Sequence, residues 1–193
     1  MRQTRFLPLL LVLLLPLTAC GKDDPVGPDP KGTLGFTYSG DISGTFSASG
    51  EPKPDAGDFP QTEFAAAQAE NGNVLIIGLR PTQQPKFDYF GIALEGVTSP
   101  KTVQVCAQPT GGACPAVFYL RGFNGNGDTF DQADVFTSGS VTISEINAER
   151  VRGSFQGTAI FISGSGQPSF GRTITVTNGQ FDVPVRNDLD WDD

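Results

Sequence analysis

A two-residue alternation of apolar and polar side chains runs through most of this chain after residue 32 and constrains its fold more than any other feature. Leu34, Phe36 and Tyr38, for example, alternate with small or polar neighbours. A period of two places successive side chains on opposite faces of a β-strand. No apolar stripe of helical period and useful length appears, and Gly and Pro separate the alternating runs. The pattern predicts a chain built from short strands.

Turn signals between the runs indicate antiparallel hairpins. Gly40-Asp41 joins the first two runs, and Asn71-Gly72 and Asn178-Gly179 each separate a later pair. Asn-Gly is the dipeptide best suited to a tight primed turn. The fold class predicted is all-β, with a single antiparallel β-sandwich or barrel domain of about ten strands. Strands are expected at 34–39, 42–49, 64–70, 74–80, 87–94, 102–106, 116–121, 140–146, 151–162, 173–177 and 180–185, and surface loops at 50–60, 81–86 and 163–171.

The first 19 residues have the three parts of an export signal. Arg2 and Arg5 supply positive charge, residues 6–17 form an almost unbroken apolar run, and the small residues Thr18 and Ala19 follow. A helix of that apolar length covers roughly 18 Å, against a hydrocarbon core of about 30 Å. A cleaved signal peptide is therefore expected, rather than a permanent membrane span.

The signal ends in Leu17-Thr18-Ala19-Cys20, which resembles the lipobox of bacterial lipoproteins. The resemblance implies that residues 1–19 are removed and that acylated Cys20 anchors the protein to a membrane, which is stable when more than one chain is buried. Gly21 replaces the Asp that retains many such proteins in the inner membrane. Lys22-Asp23-Asp24 resembles the surface-export signal of some Gram-negative lipoproteins, and a solvated tether explains it equally well. We expect a lipid-anchored protein of the cell envelope, in the outer membrane, with surface exposure as a further option.

The domain organisation predicted is a signal peptide at 1–19, the acylated Cys and a flexible tether at 20–32, the β-domain at 33–187 and an acidic tail at 188–193. Without the signal 174 residues remain, enough for one domain with a substantial core. They include 11 basic and 21 acidic residues, a formal balance of −10. Such a chain repels phosphate backbones, so nucleic acid is not an expected partner.

Cys106 and Cys114 remain after Cys20 is assigned to the lipid. They enclose a short loop in a chain expected in an oxidising compartment, which favours a disulfide. A metal site is the alternative, but it is disfavoured because the sequence has no His and no second Cys pair.

The absence of His also excludes His-dependent catalytic triads and zinc sites. Paired carboxylates, as in glycoside hydrolases, stay conceivable, but no pair among the 21 acids stands out. We therefore predict no catalytic residues and no enzyme.

One Gly-rich segment has the donors of a cation site. Asn124, Asn126, Asp128 and Asp131 place oxygen ligands along a turn-rich loop, as Ca²⁺ prefers. The segment does not match the helix–loop–helix calcium pattern, and a hydrated turn explains the same residues. Calcium at these four residues is thus the one cofactor that the sequence indicates.

Six aromatic residues are candidates for the lining of a ligand pocket, and the alternative is core packing, which accounts for most aromatic side chains in strands. They are Phe87, Tyr89, Phe90, Phe118, Tyr119 and Phe123.

The C-terminal third resembles a family of uncharacterised β-rich lipoprotein domains, in about 50 residues that include 139–145, 151–155 and 171–183. The shared pattern is a strand, a Gly-Thr/Ser-Phe strand and a closing hairpin ending in Gly-x-Phe-x-Val. No activity is carried over from that family.

The function predicted is a membrane-anchored, exported lipoprotein that acts as a non-enzymatic surface binding module for a glycan, a protein or a small molecule. A structural envelope lipoprotein with no ligand of its own is the alternative, and a carboxylate-dependent hydrolase ranks last. A pocket lined by the aromatic residues would favour binding, whereas a filled interior would favour the structural role.

Overall fold

The computed structural model describes residues 31–52, 62–83, 85–106, 114–124, 129–163 and 168–188. These residues form ten β-strands and no helix. The predicted signal peptide, Cys20 and most of the predicted tether lie outside the described residues, as does the end of the predicted acidic tail. The strands are β1 (Gly32–Gly40), β2 (Gly44–Gly50), β3 (Phe64–Glu70), β4 (Asn73–Pro81), β5 (Phe87–Leu94), β6 (Lys101–Val105), β7 (Ala116–Phe123), β8 (Gln132–Ile146), β9 (Arg150–Ser163) and β10 (Pro168–Pro184).

All ten strands belong to one antiparallel sheet, in the order β2-β1-β10-β9-β8-β7-β5-β4-β3. The long strand β8 pairs with β7 through its first half and with β6 through its second half. The sheet is nearly closed into a barrel, because the segment after β10 returns to β3: Val185 forms a bridge with Ala67, whose carbonyl accepts the N–H of Arg186 at 2.7 Å. The predicted all-β class, with an antiparallel sandwich or barrel, is confirmed.

Asn187 extends this closure with its side chain. Its Oδ1 accepts the N–H of Ala69 at 2.9 Å, and its Nδ2 donates to the carbonyl of Ala69 at 3.0 Å. The amide group therefore pairs with β3 as the peptide unit of a neighbouring strand would.

Replacing Asn187 by alanine removes both hydrogen bonds to Ala69 and should lower the free energy of unfolding by about 1–2 kcal/mol. Hydrogen exchange offers a local measurement, because the amide of Ala69 should lose protection. Asn73→Ala, at an exposed position in the first residue of β4, is the control and should leave that amide unchanged. Unaltered exchange at Ala69 in the Asn187 variant would contradict this account of the closure.

The interior of the barrel is filled by side chains from the inward positions of the strands. The rings of Phe36, Phe90 and Phe155 lie in mutual contact at its centre, with centroids 4.8–5.6 Å apart. Phe46, Phe136 and Phe181 pack around them. Aliphatic side chains fill the remaining space; Leu34, Val74, Ile76, Ile92, Val141, Ile143, Val151, Ile174, Val176 and Val183 are all buried.

Two of the three predicted hairpin turns are confirmed. The turn between β1 and β2 follows Gly40, and Asn71 and Gly72 join β3 to β4 with φ angles of 52° and 82°. Positive φ at both positions is the requirement of a type I′ turn. The expected turn at Asn178-Gly179 is wrong, because β10 continues through both residues and makes a bulge there against β9.

The bulge has a local cause. The ring of Phe155 lies where a Cβ of residue 179 would be, so only glycine fits. The side chain of Asn178 meanwhile accepts the N–H of Thr37 on β1 at 3.0 Å. Held by β9 on one side and β1 on the other, β10 stays a single strand instead of the predicted pair at 173–177 and 180–185. It also begins within the segment 163–171, which was expected to be a loop.

Candidate binding site

Charged side chains enter the barrel interior at one end. This is the end at which β1, β4, β7 and β9 finish and β2, β5, β8 and β10 begin. Five residues from five strands make up the group, which we call the arginine cluster: Arg80, Asp88, Arg121, Asp134 and Arg172. They lie above the aromatic core, since Arg80 covers the ring of Phe46 and Arg121 covers the rings of Tyr38 and Tyr119.

Arg80 and Asp88 face each other as partners on β4 and β5 and form an ion pair of 2.6 Å. Asp88 also accepts the hydroxyl of Tyr119 at 3.2 Å and the N–H of Gly122 at 3.2 Å. Burial alone would lower the pKa of Arg80, but the hydrogen bond and the charge of Asp88 raise it overall. Arg80 and Asp88 therefore form a satisfied pair of opposite charges.

Gly122 makes this arrangement possible. Its φ of 62° lies in the left-handed region, at an irregularity where β7 leaves register with β5. A Cβ there would also meet the carboxylate of Asp131, but that side chain is 59% exposed and free to shift, so the positive φ is the feature that favours glycine. The bulge directs the N–H of residue 122 towards Asp88.

Arg121 and Asp134 form the most deeply buried ion pair among the described residues. Their side chains are only 16% and 2% exposed, and the Arg121 Nη2 donates to Asp134 Oδ2. Burial raises the pKa of Asp134, against the opposing effect of the charges of Arg121 and Arg172. Burial likewise raises the pKa of the neighbouring Tyr119. The pair lies in a region where water competes little for hydrogen bonds.

One polar atom in this region has no partner. The Nε of Arg121 is buried, and no acceptor among the described residues lies within hydrogen-bond distance. An unsatisfied buried donor of this kind costs about 1–3 kcal/mol, and more when it is charged. The N–H is therefore a donor for which the described part of the protein supplies no acceptor.

Arg172 completes the cluster from β10, in the irregular stretch between the paired residues Ser169 and Thr173. Its guanidinium covers the ring of Phe161, with the carbon 4.6 Å from the ring centroid. Its charge acts on Asp134. No carboxylate in the described segments forms a salt bridge with it, so the cluster holds three guanidinium groups and two carboxylates.

The six aromatic residues weighed as a pocket do not come together. Phe90 and Tyr119 belong to the filled interior. Phe87, Tyr89 and Phe123 pack on the opposite face of the sheet, where Phe118 stacks on Tyr89 at 5.6 Å. The aromatic set is therefore divided between the core and the outer face and does not line one cavity.

The predicted calcium ligands are described only in part. Asn126 and Asp128 lie outside the described residues. The backbone N–H of Asn124 donates to the carbonyl of Thr129 at 2.8 Å. Both carboxylate oxygens of Asp131 accept the ammonium group of Lys86, at 2.7 and 2.8 Å. Within the described segments no group of three acidic or Cys side chains is placed to hold a metal ion. Calcium binding here stays a prediction.

Cys106 and Cys114 form the expected disulfide, between the end of β6 and the start of β7. The loop that they enclose lies outside the described residues.

Removing the disulfide with the double variant Cys106→Ser/Cys114→Ser should lower the free energy of unfolding by about 2.6 kcal/mol, the loop-entropy value for so short a ring. Denaturant titration of the oxidised protein and the variant measures the difference. The reductant dithiothreitol is the internal control, because it should destabilise the wild type and leave the variant unchanged. Equal denaturant midpoints for the variant and the oxidised wild type would contradict a stabilising role of the disulfide.

The fold and the cluster together define a β-barrel domain whose interior is apolar and filled except at one charged end. Scans against protein-family models, curated proteins and solved structures find no match for this chain.

Proposed function

We propose that this protein is an exported lipoprotein, anchored to the outer membrane through acylated Cys20, whose β-barrel domain binds a ligand without catalysing a reaction. The export signal, the lipobox-like sequence ending at Cys20 and the disulfide of an oxidising compartment support the anchoring. The described residues contain no helix long and apolar enough to cross a bilayer. Surface exposure is part of the proposal, on the strength of Lys22-Asp23-Asp24.

The observation that carries the binding role is the arginine cluster. Ligand sites are frequent in the mouths of β-barrels, where a few polar groups converge on an apolar frame. Three arginines at one end of an acidic protein, one of them with a buried N–H that lacks an acceptor, fit that description.

The carboxylates of the cluster support a non-enzymatic role. Asp88 is engaged by Arg80, Tyr119 and the N–H of Gly122, and Asp134 is engaged by Arg121. A hydrolase that uses two carboxylates needs one of them to donate a proton to the substrate. Both carboxylates of the cluster are instead engaged by hydrogen-bond donors of the protein itself.

A structural envelope lipoprotein is the second candidate, and the filled interior favours it. Aromatic rings in mutual contact occupy the centre of the barrel, and a buried ionic cluster can serve to fix one arrangement of strands.

Metabolic labelling with palmitate tests the anchor. The wild type should incorporate label and fractionate with membranes, whereas Cys20→Ser should do neither. Cys114→Ser is the matched control, because it removes a different cysteine and should keep the label. Label retained by Cys20→Ser, or none in the wild type, would overturn the lipoprotein assignment.

Native mass spectrometry of the protein, purified without chelator, tests the binding role. A reproducible extra mass that is lost on denaturation would support a binding module, and one lost to chelator alone would identify a cation. A bare mass in every preparation would argue against a tightly held ligand and favour the structural candidate.

A further inference from the structure

We infer that the arginine cluster is a binding site for a small oxyanion, a carboxylate or a phosphate group, held between Arg121 and Arg172. The inference rests on the proposed binding function and deepens it by naming the chemical class of the ligand.

The cluster is continuous, so its arginines act on one region of space. Arg80 is linked to Arg121 through Asp88 and Tyr119: Asp88 accepts from both Arg80 and the Tyr119 hydroxyl, and Arg121 covers the Tyr119 ring. Asp134 links Arg121 to Arg172, because it accepts a hydrogen bond from the first and lies in the field of the second.

Residues in register place the site across adjacent strands. Tyr119 on β7 is the partner of Asp134 on β8, which is in turn the partner of Phe161 on β9. The guanidinium groups of Arg121 and Arg172 lie on the rings of Tyr119 and Phe161, at the two ends of this row. Stacking on a ring holds a guanidinium flat and leaves the N–H groups in its plane free to donate.

The donors are in excess over the acceptors. Arg80 is matched by Asp88 and Arg121 by Asp134, whereas Arg172 has no salt-bridge partner among the described residues. The buried Nε of Arg121 has no acceptor in the described part of the chain. An oxyanion supplies the missing acceptor, and guanidinium groups match the geometry of carboxylate and phosphate.

The carboxylate of Asp41 brings the count of charges at this end to balance, but among the described residues neither it nor Lys86 or Asp131 forms a salt bridge with Arg121 or Arg172. Lys86 and Asp131 neutralise each other, and they are 41% and 59% exposed. Asp41, in the β1–β2 turn, is exposed and accepts the N–H of Thr173. Because the interior below the cluster is filled with aromatic side chains, the ligand is small and stays at the barrel end.

Calorimetric titration of the purified protein with inorganic phosphate and, separately, with citrate tests the inference at low ionic strength, where screening is weak. Wild type should show saturable binding of at least one probe, and which of the two binds distinguishes a phosphate from a carboxylate ligand. Arg172→Gln should weaken that binding about tenfold or more, the effect of losing a charged hydrogen-bond donor.

Arg152→Gln is the control. Arg152 is an exposed arginine that pairs with Glu145 and Asp182 near the opposite end of β9, and its loss should leave anion binding unchanged. Arg172→Lys keeps the charge without the planar fork and should bind with intermediate affinity. Thermal unfolding of each variant confirms that it is folded.

Absence of saturable binding of both probes by the wild type would overturn the inference, and so would equal weakening in Arg152→Gln. A palmitate-labelled protein that retains an uncharged ligand in native mass spectrometry would leave the proposed function standing and remove only the oxyanion. If native mass spectrometry finds no retained ligand of any kind and neither probe binds, the result counts against both the oxyanion site and the proposed binding function.

Discussion

Replacing Phe90 by alanine should lower the free energy of unfolding by about 3–5 kcal/mol. The side chain is 0% exposed and lies at the centre of the barrel, with its ring 4.8 Å from those of Phe36 and Phe155 and about 6 Å from those of Phe46 and Phe136. Truncation would leave a cavity that strands on all sides prevent from collapsing. Denaturant titration followed by circular dichroism measures the loss.

Phe118→Ala is the matched control for this prediction. Phe118 lies on the opposite face of the sheet, half-buried, against Tyr89 and over Gly91. Phe118→Ala should lower the free energy of unfolding clearly less than Phe90→Ala does. Equal losses at the two positions would mean that the interior packing is not the main source of stability.

The second large effect is expected at the buried ion pair. Asp134→Ala leaves the guanidinium of Arg121 buried without its counter-charge, which should lower the free energy of unfolding by about 3–5 kcal/mol. Asp131→Ala serves as the control: its carboxylate is 59% exposed where it pairs with Lys86, and its loss should cost less than about 1 kcal/mol.

A double variant distinguishes two contributions to the free energy of unfolding: the penalty of leaving Arg121 unpaired and the net stabilisation by the Arg121–Asp134 pair. Arg121→Met/Asp134→Leu replaces both charges by apolar groups and should recover most of the stability that Asp134→Ala loses, because no charge is left unpaired. A double variant as unstable as the single one would show that the pair itself, and not the stranded charge, stabilises the barrel end.

Much of the fold could be predicted from local patterns. The strand over Phe87–Leu94 was predicted with the bounds that β5 has, and the Ala-rich run 64–70 is a strand as expected. The turn at Asn71-Gly72 was predictable because both residues tolerate positive φ. In each of these cases the local sequence preference and the pairing with neighbouring strands favour the same structure.

The end of the chain shows why the rest could not be predicted. Asn178-Gly179 has the same turn preference as Asn71-Gly72, but it lies between two partner strands, and it forms a bulge within one continuous strand instead of a turn. The first half of β8, from Gln132, was missed because it follows a turn-rich segment and because Asp134 interrupts its apolar pattern. In both cases the pairing with distant strands determines the local structure. A short stretch of sequence does not show which strands will pair.

The arginine cluster was missed for a related reason. Its five residues come from five different strands, between positions 80 and 172, so no short spacing motif joins them. A usable signal was present: Asp88 interrupts the apolar run of β5, where Phe87, Phe90 and Ile92 are buried on either side. A charge buried near the end of a strand requires a partner, but the sequence does not say which arginine provides it.

The pairing of β1 with β10 has a consequence for the order in which the protein is made. The first strand of the domain finds its partner in the last, and the bond from the Thr37 N–H to Asn178 spans 141 residues. The chain emerges from a ribosome or from a translocation channel N-terminus first. The β1–β2 hairpin can therefore form early, but the free edge of β1 is covered only after nearly the whole domain has emerged. The barrel is thus finished by its final residues, and contacts of such long range are the ones that make folding slow.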